Sequence, residues 1–352
     1  MQRYIGLDVH AQSCTLAVMS AAGKRLGLKV IETNGAALKE VFATIPGDLH
    51  VCLEEGTQSA WVYELLKDRA DVAVIVPDAH KGPKDDARDA WGLAECLRVG
   101  AIKRRVYKSC GPFSELRAAV RSYTTLRDDV RRTKNRLKAV YRSRGLMPPA
   151  SAPFHPTRHQ SWEGKLPPEQ LRSAQLLLEQ LHSQEALWLK AEERLEAASK
   201  KHSVVKLLAT APAIGPIRAA QIVATVVTPH RFRTKRQFWA YCGLAVVMRS
   251  SANWEKDRSG NWVRAKTIQS LGLNRNRNGG LKEVFKSAAH QVAVQMTSHP
   301  LHRDFERLVE RGMKPNLAMV TIARRIAAAV LAMWKHQEVY EPSKHATKNA
   351  HA

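Results

Sequence analysis

Acidic residues are scarce in this chain. Over 352 residues, 32 Asp and Glu stand against 56 Lys and Arg, a formal net charge of +24. Each phosphate that such a surface neutralises releases a condensed counterion, so the imbalance points to a polyanionic partner, nucleic acid before anionic membrane. Cysteines are few and scattered, at 14, 52, 96, 110 and 242. No pair has metal-ligand spacing, and they read as reduced core thiols of a cytoplasmic protein. We find no internal repeat, no signal-peptide pattern, and no apolar run approaching the ~18–20 residues of a spanning helix. What remains is ordinary: 44% hydrophobic and 25% charged residues, in a chain long enough for two domains.

Three strand-like runs open the chain at 3–9, 14–20 and 25–32, with turns near Ala11 and Gln12 and at Gly23. A helix is expected over 34–44, a buried strand over 50–54, a helix over 57–69, an apolar strand over 72–76 and a helix over 85–98. The order βββαβαβα is that of an RNase H-like sheet, in which an antiparallel meander joins parallel crossovers. Residues 101–145 then carry fourteen Lys and Arg against three acids, a net of +11. Their apolar positions recur at helical spacing, which predicts a long basic amphipathic helix over 117–144. A proline-rich break follows at 147–156, and a second long helix is expected over 169–199. Together they suggest an antiparallel coiled-coil hairpin and a dimerisation element. The stretch 203–224 resembles a helix-hairpin-helix turn around Gly215, where backbone N–H groups can approach phosphate. A helix is expected over 232–244, a polar basic surface loop or hairpin over 246–277, and two closing apolar helices over 281–296 and 317–334. The domains we expect are therefore an α/β unit over 1–110, a basic helical hairpin over 111–200, a mainly α region over 201–340 and a disordered tail over 341–352.

Within this frame Asp8 is the residue to explain. It sits at the centre of an apolar strand, where an ionised carboxylate is costly unless a cation or partner compensates it. Glu54 ends a later apolar strand, with Glu55 beside it as an alternative. Asp86 and Asp89 stand three apart at the start of a helix, so both can face the sheet; carboxylates there also suit the helix dipole. Paired magnesium ions need shared anionic ligands of this kind, and we read Asp8, Glu54, Asp86 and Asp89 as one Mg2+ (or Mn2+) site. His10 we read as structural. Arg121, Arg131, Arg132, Lys134, Arg136 and Lys138 on the basic helix, Gly215, and Arg249, Trp254 and Lys256 in the basic loop are the candidate nucleic-acid contacts, and Trp254 and Trp262 can stack on bases.

Gly6-Leu-Asp8-Val, Leu53-Glu54-Glu-Gly56-Thr and Lys84-Asp-Asp86-Ala-Arg-Asp89-Ala90 resemble the sequence blocks of DEDD insertion-sequence transposases. These are RuvC-like recombinases of bacterial mobile elements, related to pilin-gene invertases. Pro212-Ala-Ile-Gly215, Phe232, Gly243-Leu244 and Arg249-Ser-Ser251-Ala are similar to that family's second domain, although its usual Pro-Gly-Ile-Gly here has Ala213. The resemblance implies a RuvC-like first domain and a C-terminal transposase domain. It implies the four acids as catalytic tetrad and Ser251 as nucleophile, with neighbouring Ser250 a competitor. It also implies donor and target DNA as substrates, a structured guide RNA, a homo-oligomer (dimer or tetramer) and a nucleoid-associated cytoplasmic location. A junction-resolving nuclease that uses water, or a non-catalytic nucleic-acid-binding protein, are the alternatives.

Overall fold

The computed structural model describes residues 1–76, 85–102, 105–106, 111–149, 151–155, 157–249, 254–264 and 269–342. The chain divides into two compact units, Met1–Gly111 and Pro112–Ala352.

The first unit is built on a six-stranded sheet. Strands β1 (Gln2–Val9), β2 (Ser13–Ser20) and β3 (Arg25–Glu32) form the antiparallel meander, with Gly23 at φ +82° in its second turn. Strands β4 (Asp48–Glu54) and β5 (Ala70–Ile75) run parallel to β1, and the two-residue β6 (Arg105–Val106) closes the edge antiparallel to β5. The strand order is β3-β2-β1-β4-β5-β6. Strand β1 is central because both its faces are apolar or glycine, so it is stable only where both are covered. One face, with Ile5, Leu7, Val51, Leu53 and Val74, packs on helices α1 (Gly35–Thr44) and α2 (Ser59–Leu66) through Leu38, Phe42, Val62 and Leu66. Each of those large side chains contributes roughly 1.5–3 kcal/mol by burial. The opposite face, carrying Gly6 and Cys52, lies under helix α3 (Asp86–Arg98). There Gly6 lets the helix descend onto the sheet: a Cβ built on it would fall 1.8 Å from the Ala90 carbonyl oxygen.

In the second unit, helix α4 (Ser114–Arg142) lies antiparallel to α6 (Pro168–Lys200), with the short α5 (His159–Glu163) in the connection. Glu115 meets Lys201 at 2.8 Å near one end; further along, Thr133 Oγ1 donates to Gln184 Oε1 at 2.7 Å and Lys134 meets Glu185 at 2.7 Å. One end of the pair joins the main core through Leu116, Ala119 and Leu195, while the other closes a small core of its own around Val130, Leu137, Tyr141, Leu166 and Leu181. The main core also takes in α7 (Ser203–Leu208), α8 (Gly215–Val226), α9 (Lys235–Tyr241), α10 (Gly279–Gln295), α11 (Pro300–Glu310) and α12 (Pro315–His336). The stretches 111–200 and 201–340 therefore share one core. The basic loop folds as short ladders, β7 (Val246–Arg249) with β10 (Gln269–Leu273) and β8 (Trp254–Lys256) with β9 (Trp262–Arg264).

Two expectations need correction here. Helix α11 was not foreseen. Helix α12 is long and apolar enough to cross a membrane by length and composition. It is a core helix, with Ile322, Ile326 and Val330 fully buried. The expected tail falls outside the described residues from 343 onwards.

Candidate functional site

Strand parity sets up the site. In β1, Asp8 follows Gly6 by two and shares its α3-facing side; in β4, Glu54 follows Cys52 by two and does the same. The parallel register pairs Gly6 with Cys52 and Leu7 with Leu53, so one further step brings Asp8 alongside Glu54. Glu55 has the opposite parity and lies past the strand end, its N–H donating to the Ile75 carbonyl at 2.7 Å. By strand parity it is Glu54, and not Glu55, that shares the α3-facing side at the end of β4.

Helix α3 supplies the other acids from its first turn. Asp85 is the N-cap, accepting from the N–H groups of Ala87 at 3.0 Å and Arg88 at 3.3 Å, a role that satisfies donors the helix leaves orphaned. Asp86 and Asp89 come from the same turn, above the end of β1. Asp8 Oδ2 lies 3.1 Å from His10 Nε2, which lies 3.3 Å from Asp86 Oδ1. Ligand atoms of Asp8, His10 and Asp86 all fall within 4.8 Å of one another. Burial pushes the Asp8 carboxyl above its ordinary range; His10 opposes the rise, and the charges of Asp86 and Asp89 add to it.

A group in this position gains most from a nearby cation. Carboxylate oxygens suit Mg2+ and Mn2+, and an imidazole favours the softer of these, so the residues present fit a divalent metal. The cluster is Asp8, His10 and Asp86; Glu54 and Asp89 lie outside that 4.8 Å group, Asp89 close enough to act on Asp8. His10, set aside in the sequence as structural, is thus part of the cluster. Its parity with Asp8 was the available signal.

The candidate nucleic-acid contacts fall into two kinds. Several α4 cations have protein partners: Arg131 with Asp128 at 3.2 Å and Glu283 at 3.6 Å, Arg132 with Asp129, and Lys134 with Glu185. Arg121 and Arg136 are exposed and make no ion pair among the described residues, and the Lys138 ammonium stands 5.4 Å from the Phe154 ring. Gly215 is exposed at the start of α8 with φ +41°, preceded by Ala213 at φ +56°. On the β8–β9 hairpin, Trp254 and Trp262 are 60% and 64% exposed, and Lys256 Nζ sits 5.4 Å from the Trp262 ring. Arg249 ends β7, and Ser250 and Ser251 lie outside the described residues.

Similarity to known proteins agrees with this layout. Residues 5–143 match the family model of IS110-type DEDD transposases, described as "Transposase", and residues 205–305 match the model described as "Transposase IS116/IS110/IS902 family". A "Probable family 20 transposase" of Pseudomonas aeruginosa is 26% identical over 319 residues, 87% of this chain and 90% of the relative. The "Transposase for insertion sequence element IS1533" of Leptospira borgpetersenii is 25% identical over 176 residues, 46% of this chain and 50% of that one. With both models matched in chain order, the chain is similar to the IS110/IS116 family of DEDD transposases in both of its units, and the matched families and relatives support a DNA transposase activity.

Proposed function

We propose that this transposase is a site-specific recombinase that cuts and rejoins DNA strands through a serine, beside a Mg2+ or Mn2+ site made by Asp8, Glu54, Asp86 and Asp89. The observation that carries the reading is the meeting of Asp8 and Asp86 around His10, in a family that is generally dependent on divalent metal. When bound, the metal would supply Lewis-acid stabilisation of charge at phosphorus and on the leaving oxygen. Asp8, held by β1, and Asp86 and Asp89, held by α3, fix the donors on rigid elements, and His10 orients Asp8 through its hydrogen bond. The order β3-β2-β1-β4-β5 supports the RuvC-like reading of the first unit.

In the strand-cleaving step Ser251 Oγ bonds to phosphorus as it loses its proton. The phosphorus–oxygen bond to the leaving strand breaks, and that oxygen takes up a proton. The phosphodiester energy stays in the serine ester, so the reverse attack by a DNA hydroxyl reseals a strand without a nucleotide cofactor. Ser251 comes from the family resemblance, with Ser250 its neighbour. A structured RNA pairing with donor and target DNA would supply sequence specificity, the protein holding backbone and shape, and the paired long helices α4 and α6 suit a coiled-coil dimerisation arm.

The test is an excision and integration assay with trapping of protein–DNA adducts. Wild type should give a covalent adduct that Ser251→Ala loses and Asp8→Ala never forms. Hydrolysed ends that persist in Ser251→Ala would replace serine with water and make the enzyme a nuclease. Full activity of Asp8→Ala would remove the tetrad.

A further inference from the structure

Away from the acidic site, the second unit holds a run of cations that the motif reading did not select. An open groove of about 760 Å³ runs along α10 and the start of α8. Lys282, Lys286 and His290 line it at intervals of four residues, so they stand on one helix face at steps of about 6 Å. Arg277 and Arg218 flank them. Arg277 is held in place: its stem packs where a side chain on Gly243 would clash, 1.9 Å from its Cδ, and its Nη1 donates to the Asn274 carbonyl at 3.0 Å. Arg218 is braced by the Ala213 carbonyl and Gln291 Oε1, at 2.5 and 2.6 Å.

The groove contains one carboxylate, Glu283, and α4 has already engaged it: Arg127 lies at 3.1 Å and Arg131 at 3.6 Å. Lys282 and Lys286 make no ion pair among the described residues. Burial and the charges of Arg277 and Lys286 hold the Lys282 ammonium below the ordinary lysine range. A fold selected for stability alone would not gather like charges this way and spend the nearby acid on another helix. An external polyanion removes the conflict.

We propose that this groove binds the sugar–phosphate backbone of a nucleic-acid strand, with Lys282, Lys286 and Arg277 contacting successive phosphates. The inference rests on the reading that the chain works on nucleic acid and adds where the backbone lies on the second unit. It differs from the basic face of α4, whose Arg131, Arg132 and Lys134 have carboxylate partners in the protein.

The experiment measures equilibrium binding of the full chain to labelled single-stranded DNA, duplex DNA and RNA as salt rises from about 50 to about 200 mM. The variants are Lys282→Gln/Lys286→Gln and, as a control, Arg131→Gln/Arg132→Gln. Losing two phosphate contacts should flatten the slope of log affinity on log salt by about 1.8 for a duplex or about 1.4 for a single strand. Whichever probe shows the change identifies the strand that occupies the groove. The urea midpoint of the lysine double variant should match or exceed wild type, since like charges have been removed; a structural role for the lysines would lower it. Unchanged slopes on all three probes, with wild type still binding, overturn the groove and leave the transposase reading intact. Absence of salt-dependent binding by wild type would overturn both.

Discussion

Gly6→Ala puts the geometry of the acidic site under direct strain. The glycine does not need left-handed backbone; it is required by the descent of α3 onto β1. A methyl group there would lie 1.8 Å from the Ala90 carbonyl oxygen, 2.7 Å from the Ala94 nitrogen and 2.8 Å from the Ala90 carbonyl carbon. All three are backbone atoms, so no side chain can rotate away. Ordinary contact begins at 3.4 Å, and the helix must withdraw by about 1.6 Å along that direction. Overpacking of this kind costs roughly 1–3 kcal/mol, and a clash with helix backbone belongs at the upper end. Ala90 is one turn beyond Asp86, so the withdrawal also carries Asp86 and Asp89 away from Asp8. A misplacement of about 1 Å costs on the order of 10²-fold where geometry decides the chemistry. The variant should therefore unfold at lower urea, excise DNA at least about 10²-fold more slowly and lose most of its protection by Mn2+. That protection in wild type should be about 2.7 kcal/mol at a hundredfold excess over Kd. A Gly6→Ala protein with wild-type urea midpoint and full Mn2+ protection would refute the account of how α3 is seated.

Three other expectations follow from local geometry. Asp8→Asn should be more stable than wild type without metal and gain nothing from Mn2+: a carboxyl whose folded value is raised contributes stability below its ordinary 3.8 and loses it as pH climbs through the higher folded value. Melting both proteins between about pH 4 and about pH 7 checks this, the Asn variant giving the flatter curve. Ala213→Gly should raise stability by about 0.5–1 kcal/mol, since relief of roughly 1–2 kcal/mol of left-handed strain at φ +56° outweighs the added freedom of the unfolded glycine; an unchanged urea midpoint would contradict it. His299 caps α11 by accepting the Leu301 N–H at its Nδ1, 3.1 Å away, and burial holds the ring below its ordinary 6.5. That contribution is complete above 6.5 and lost as pH falls through the lower folded value, so wild type should weaken on acidification and His299→Asn should flatten the loss in urea titrations at about pH 5 and about pH 8.

The first unit was largely legible because its residues obey short-range rules. The strand-like runs at 3–9, 14–20 and 25–32 mark the meander within a residue of β1, β2 and β3, and the helices expected from 34 and 85 match α1 and α3. The acids could be collected by type, but the capping by Asp85 and the contact of Asp86 with His10, just past the end of β1, depend on tertiary placement. His10 shared the parity of Asp8; only the arrival of α3 gave that parity a meaning. Strand β6 has two residues and no period to read. Helix α11 is only 11 residues long; its apolar stripe of Leu301, Phe305 and Leu308 packs on the main core but spans barely two turns of sequence. On the basic helix it was the pairing of the cations that was out of reach. Its charge was plain, yet Glu185 and Glu283, which engage its cations, come from distant elements. For the same reason nothing local to α10 marks its lysines: Glu283 beside them is engaged by Arg127 and Arg131 of α4.

The α4–α6 pair is rooted at one end in the large core and stapled at the other by its own small one. At 29 residues, α4 measures about 43 Å. Such a rod acts as a lever: a swing of about 10° where Leu116 and Leu195 are anchored sweeps the tip beyond Tyr141 through roughly 7 Å over that length. Small repacking among buried side chains at the root is thereby converted into a displacement larger than a full helical turn at the far end.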